Sequence, residues 1–140
     1  VDQRLSIITL AVTDLDRSRR FYCDVFGWRE TEGSSERIAF FQLPGIMFAL
    51  YPRSAMADEH DGPVGAPAGF TLAYNVNSAD EVDRLYAVVT ARGAVGLKAP
   101  DSVFWGGYSA YVCGPDGEQW EIAHNPFTAV NDDGTFGHWG

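Results

Sequence analysis

One order of elements (strand, capped helix, glycine stop, short strands) occurs twice along this chain, and few folds accommodate such a repeat. In the first passage, Ser6 to Val12 alternates Ile8, Leu10 and Val12 with Ile7, Thr9 and Ala11. That is the period of a strand whose bulkier set faces a core. Thr13-Asp14-Leu15-Asp16 supplies a helix N-cap and first-turn acids. Phe21, Tyr22, Val25 and Phe26 hold helical spacing, and Gly27 marks the stop. Strands are expected at Trp28 to Thr31, Arg37 to Leu43 and Ile46 to Tyr51, parted by turns at Gly33-Ser34-Ser35 and Pro44-Gly45.

The second passage runs in the same order. Leu72 to Val76 is strand-like, and Ser78-Ala79-Asp80-Glu81 is a capping box. Val82, Leu85, Tyr86 and Val89 form one buried helix face, ended by Gly93. Ala94 to Lys98, Tyr108 to Cys113 and Glu118 to Ala123 then read as strands, with Gly114-Pro115-Asp116-Gly117 as the last turn. Val12 and Val76, Asp14 and Ser78, and Tyr22 and Tyr86 are each 64 residues apart; Gly27 and Gly93 are 66 apart. Phe48-Ala49-Leu50 matches Trp120-Glu121-Ile122 at an offset of 72, so short insertions separate two copies still in register.

Module 1 therefore spans about residues 5–53, module 2 about 69–127, and a linker covers 54–68 within one 140-residue domain. Pro52, Gly62, Pro63, Gly65 and Pro67, with the acidic run Asp58-Glu59-His60-Asp61, give Pro52 to Ala68 the composition of a loop. The tail, 128–140, has no periodicity, and docking of part of it through Phe136 and Trp139 is expected. With 46% apolar and 14% aromatic residues, the chain has ample material for a core.

The excess of 19 acidic over 10 basic residues, a net charge of −9, opposes binding to a phosphate backbone or an anionic membrane. It serves a solubilising surface or a cationic ligand instead. No apolar run approaches the roughly 20 residues of a membrane span, and no signal-peptide pattern opens the chain. Cys23 and Cys113 make neither a disulfide framework nor a metal motif and are expected to be small buried hydrophobes. A cytoplasmic location is the resulting expectation.

The opening run Leu10-Ala11-Val12-Thr13-Asp14-Leu15, followed by Ser18, Phe21-Tyr22 and Val25-Phe26-Gly27-Trp28, resembles the vicinal oxygen chelate superfamily. That group includes glyoxalase I, extradiol dioxygenases and bleomycin-resistance proteins. Gly114-Pro115-Asp116-Gly117-Glu118-Gln119-Trp120-Glu121-Ile122 is similar to its D-P-D-G-x-x-x-E-L ending, with Gly114 where the family has Asp. The resemblance covers roughly residues 5 to 127 and implies an α+β fold. Two tandem βαβββ modules would form a curved mixed sheet around a cavity, with helices outside. It also implies a homodimer, but no single activity, since this scaffold serves lyases, isomerases, dioxygenases and drug-sequestering proteins.

Metal-using members of the superfamily take ligands from the first and last strand of each module. The matching positions here are Ile7, Ala49, Thr71 (or Phe70, one residue earlier) and Glu121. A divalent ion needs several imidazoles or carboxylates converging, and only Glu121 qualifies. No metal and no cofactor are therefore expected; a relocated site using His60, His124 or His138 is the disfavoured alternative. Without a metal, Glu121 is a candidate acid, base or partner for a cationic ligand.

Val103-Phe104-Trp105-Gly106-Gly107-Tyr108 combines aromatic rings with a flexible turn, which suits a loop closing over a planar guest. Trp105, Tyr108, Tyr111, Thr9, Thr71, Asn75 and Phe48 are the candidate ligand contacts, although Phe48 fits a core role equally well. Strand alternation puts Thr9, Ala11, Ala73 and Asn75 on a small, mildly polar concave surface and gives Tyr111 the parity of Ser109. The leading expectation is a protein that binds a small organic molecule, aromatic or cationic, without the usual metal. The alternative is a lyase, isomerase or dioxygenase-type enzyme using Glu121 or a relocated metal.

Overall fold

Alternating apolar residues and two capped helices organise the chain into two units, Val1–Ala68 and Gly69–Gly140. A computed structural model describes residues 1–137. In the first unit, β1 (Ile7–Val12) lies parallel to β3 (Ile46–Pro52), which is antiparallel to β2 (Ala39–Leu43), giving the order β1-β3-β2. Helix α1 (Leu15–Arg20) starts at Asp14, whose carboxylate accepts from the Arg17 N–H at 3.0 Å. It continues as a π-helical turn over Phe21–Val25, where the Phe26 N–H bonds the Phe21 carbonyl at 3.2 Å. The wider turn presents consecutive rings to the sheet. Tyr22, fully buried, packs on Phe48 and Phe41 with ring centroids 5.1 and 5.9 Å away, and Trp28 adds to the same cluster.

The second unit repeats the plan with one strand more. Its sheet runs β4-β7-β6-β5, with β4 (Leu72–Val76) parallel to β7 (Gln119–His124), β6 (Tyr108–Cys113) antiparallel to β7, and β5 (Val95–Ser102) at the edge. Helix α3 (Ala79–Ala91) is capped by Ser78, which accepts from the Glu81 N–H at 3.2 Å, while the Glu81 carboxylate accepts from the Asn77 N–H at 3.1 Å. Val82 and Val89 are its buried residues, and Val112, Trp120, Ile122 and Ala110 are buried in the sheet. Both units are thus α+β, each with a parallel pair of strands joined through a helix and an antiparallel hairpin beside it.

Three local expectations need correction, and one about the tail holds in part. Trp28 to Thr31 is not a strand; the Thr31 N–H bonds the Phe40 carbonyl at 2.8 Å, but Trp28 has turned its ring into the aromatic cluster instead of continuing a ladder. The region 54–68 is not all loop, because α2 (Arg53–Glu59) occupies its start; Ala55, Met56 and Ala57 favour helix despite the nearby prolines. Strand β5 extends past Lys98 to Ser102, since Pro100 is tolerated on an edge strand with register shifts on either side of Lys98. Part of the tail is docked: the Asn77 carboxamide pairs with both backbone groups of Val130 at 2.8 and 3.0 Å, and Val130 bridges to Phe136. Trp139 lies outside the described residues.

Candidate functional site

Each sheet has a helix-packed face and an opposite face, and strand parity decides which residues share them. In the second unit the helix-packed set is Trp120, Ile122, Val112, Ala110 and Tyr108, whose hydroxyl donates to the Asp83 carboxylate on α3 at 2.8 Å. The opposite face of β4, β7 and β6 carries two cross-strand rows. One is Ala73, Glu121 and Tyr111; the next is Asn75, Ala123 and Ser109. Gln119 and Cys113 follow beyond the first row.

Glu121 and Tyr111 form a pair. They are direct cross-strand neighbours on one face of the sheet. Burial, then the nearby charge of Glu121, hold the Tyr111 phenol above its ordinary value, so it stays a donor at neutral pH. Beside them, Ala73 and Ala123 present only methyl groups. Ser109 is 1% exposed, and among the described residues its hydroxyl has no hydrogen-bond partner. The face thus combines a carboxylate, a phenol and a carboxamide with small side chains, groups that direct hydrogen bonds and can match a cation.

Of the residues singled out from the sequence, Asn75, Tyr111 and Glu121 share this face, and Thr71 lies exposed just before β4 at its rim. Tyr108 does not join them: one residue from Ser109, it has the opposite parity and faces α3. Trp105 sits at the tip of the β5–β6 hairpin, closed by the Gly106 N–H bond to the Val103 carbonyl, and its ring folds back over Gly107. A Cβ at position 107 would fall 2.0 Å from the ring. Phe104 beside it is fully exposed and so takes no part in a core.

In the first unit, Thr9 is exposed and aligned with Ala49. Phe48, 1% exposed, lies on the other side of that sheet beneath Tyr22, so it is a core residue there. Ser109 was legible only as the parity partner of Tyr111. The signal that marks it, a buried hydroxyl beside an alanine, needs the register of β6 on β7 to be seen.

The four positions matching the family's metal ligands do not fit a divalent cation. Ile7 is 48% exposed, Ala49 is a buried methyl, and Thr71 is an exposed hydroxyl; Glu121 alone is a ligand type. Among the described residues, no three His, Cys, Asp or Glu side chains converge as a metal-holding group. His60 ends α2 in the first unit, and the His124 Nδ1 lies 3.2 Å from the Val76 carbonyl in the second. His138 lies outside the described residues. Among the described residues, no helix is long and apolar enough to cross a membrane.

The model of the Glyoxalase/Bleomycin resistance protein/Dioxygenase superfamily matches residues 4–122. Among solved structures, a glyoxalase-related enzyme from Fulvimarina pelagi is similar at 33% identity and a TM-score of 0.91, over 99% of this chain and 99% of that one. A glyoxalase/bleomycin resistance protein/dioxygenase from Nocardioides is 26% identical, with a TM-score of 0.76 over 89% of this chain and 84% of that one. A lactoylglutathione lyase from Agrobacterium tumefaciens, 21% identical with a TM-score of 0.71 over 90% and 96%, shares the fold. No curated protein matches the sequence.

Proposed function

The chain belongs to the Glyoxalase/Bleomycin resistance protein/Dioxygenase superfamily, and from that premise we propose that it binds a small organic molecule, aromatic or cationic, without the usual divalent metal. The observation carrying this reading is the Tyr111–Glu121 pair set among Ala73, Ala123 and Asn75 on one face of the second sheet. A carboxylate beside a phenol donor offers lone pairs to a cation, and the phenol ring beside it offers an aromatic surface. The poor fit of Ile7, Ala49 and Thr71 to a metal supports the same reading, as does the net charge of −9. A cytoplasmic homodimer belongs to the same proposal and is supported by the resemblance alone.

The test is calorimetric titration of a panel of small aromatic cations and their neutral isosteres, into wild type and Glu121→Gln. Preference for the cations, weakened about tenfold or more by the substitution, is the expected result. Equal binding of cations and isosteres by wild type overturns it.

A second reading is favoured by the same cross-strand pairing. A phenol beside a carboxylate is also an acid–base pair, with Glu121 taking a proton from a bound substrate and Tyr111 steadying the carboxylate. The relative from Fulvimarina pelagi is described as an enzyme, which supports weighing this reading. It expects that Glu121→Gln abolishes turnover while substrate affinity is largely kept.

A further inference from the structure

We propose that Lys98 is a further recognition group of this face, and that the ligand carries an anionic group as well as a cationic one. The inference rests on the reading of Glu121 above and adds the acidic end of the molecule.

Lys98 is the only lysine in the chain; the other permanently charged basic side chains are arginines. It stands on β5 opposite Tyr111, which stands opposite Glu121, so one row across the sheet reads Ala73, Glu121, Tyr111, Lys98. An irregularity in β5 brings it there. Gly96 pairs with Val112 and Lys98 with Tyr111, which leaves Leu97 as an extra residue. In an unbroken ladder Leu97 would stand opposite Tyr111, and Lys98 would fall in the helix-packed row of Ala110. Bulges recur next to functional sites, where they re-aim a side chain.

Lysine on an edge strand also discourages pairing with another chain. Here Pro100 and the two register shifts already blunt that edge, and edge protection calls for no particular partner across the sheet. The groups of the row are within reach of solvent: Ala73 and Lys98 are exposed, and Glu121 and Tyr111 are half-buried. Among the described residues, Lys98 has no ion-pair partner. Its flexible four-carbon stem lets the ammonium swing over the Tyr111 ring to meet an anion, with no fixed spacing demanded of the ligand. A zwitterion with its cation at Glu121, its middle across the Tyr111 ring and its carboxylate at Lys98 matches the row in order.

Benzamidine and 4-amidinobenzoate test this, because they share the cation and differ only in the far carboxylate. In calorimetric titration at low salt, wild type is expected to bind 4-amidinobenzoate about fivefold more tightly, the upper worth of an exposed ion pair. The field of a protein of net charge −9 favours the opposite order, so the sign alone is diagnostic. Lys98→Met is expected to reverse the preference, Lys98→Arg to keep it, and Glu121→Gln to weaken both probes. Since Lys98 carries the only side-chain amine of its kind, acylation followed by mass spectrometry reads its contact directly. Saturating 4-amidinobenzoate should slow its labelling, and saturating benzamidine should not. Equal or weaker binding of 4-amidinobenzoate by wild type, a preference that survives in Lys98→Met, or labelling that 4-amidinobenzoate leaves unchanged overturns the role of Lys98 and leaves the Glu121 reading standing. Failure of wild type to bind either probe overturns both.

Discussion

The two sheets agree on their helix-packed faces and part company on the other. Phe48 in β3 and Trp120 in β7 occupy corresponding positions, and both are buried, at 1% and 4% exposure. Each central strand pairs in parallel with the first strand of its unit and antiparallel with the strand before it. One residue on, the correspondence fails chemically: Ala49 aligns with Thr9 and Phe40, whereas Glu121 aligns with Ala73 and Tyr111. The repeat therefore duplicates a scaffold, and the reactive groups are concentrated on one copy. The helix-packed sides keep matching bulky residues, whereas the opposite sides, buried at Ala49, Ala123 and Ser109 alike, differ in chemistry.

The comparison can be broken most severely at its shared side. Phe48→Ala and Trp120→Ala are each expected to cost about 3–5 kcal/mol, read by chemical denaturation. A small loss at Phe48 alone would mean that the two cores are not equivalent. The hairpin turns should differ next. Gly45, between β2 and β3, has no atom within 4 Å of a would-be Cβ, whereas a Cβ at Gly114 would lie 1.9 Å from the Glu118 carboxylate. Gly114→Ala should therefore lose about 1–3 kcal/mol from crowding a buried carboxylate. At Gly45, whose φ is 75°, the loss should be about 1 kcal/mol and conformational only. The helix caps should match: Asp14→Ala and Ser78→Ala are each expected to cost about 1 kcal/mol in thermal or denaturant unfolding.

The smallest effects concern two tyrosine–glutamate pairs, one in each unit. Tyr51 donates to Glu59 at 2.6 Å, Tyr111 stands across the strands from Glu121, and both phenols lie above their ordinary value of 10.0. For Tyr51 the hydrogen bond is the main cause; for Tyr111 it is burial. Glu59→Gln should thus return Tyr51 most of the way to its ordinary titration, while Glu121→Gln should lower Tyr111 only in part, as read by tyrosinate absorbance. The sign for stability follows. A phenol whose folded value is raised contributes stability below its unfolded value, and that contribution is lost as pH rises through the folded one. The window is alkaline, above 10.0.

Most of this architecture was legible because period, cap and stop residues agreed at each element. Asp14, Ser78, Gly27 and Gly93 punctuate the helices as their types require, and both glycine stops adopt positive φ. The π-helical turn and the lost strand at Trp28 were not legible, since both arise from tertiary packing of rings around Tyr22. Within the site, parity could have removed two candidates in advance. Phe48 corresponds to Trp120, and Trp120 cannot share a face with Glu121; Tyr108 cannot share one with Tyr111 through alternating β6. The Tyr111–Glu121 pairing itself depends on strand register, which local sequence leaves open.

Helix α2 has a consequence of a different kind. It is seven residues long, has no side-chain N-cap bond and buries none of its residues. A helix that short has too little intrinsic stability to hold itself, and here only a few contacts hold it, among them the Tyr51–Glu59 hydrogen bond. Its amides, including those of His60 and Gly62 that bond back to Met56 and Ala57, belong to the part of the molecule that opens without global unfolding. Under native-state hydrogen exchange they should trade their protons by local fluctuation, at rates that added denaturant barely changes. The amides of β3, immediately upstream, should exchange only when their sheet comes apart. A protease cutting near Asp61, held at a φ of 54° just past the helix, would therefore act on the folded protein and leave both sheets intact.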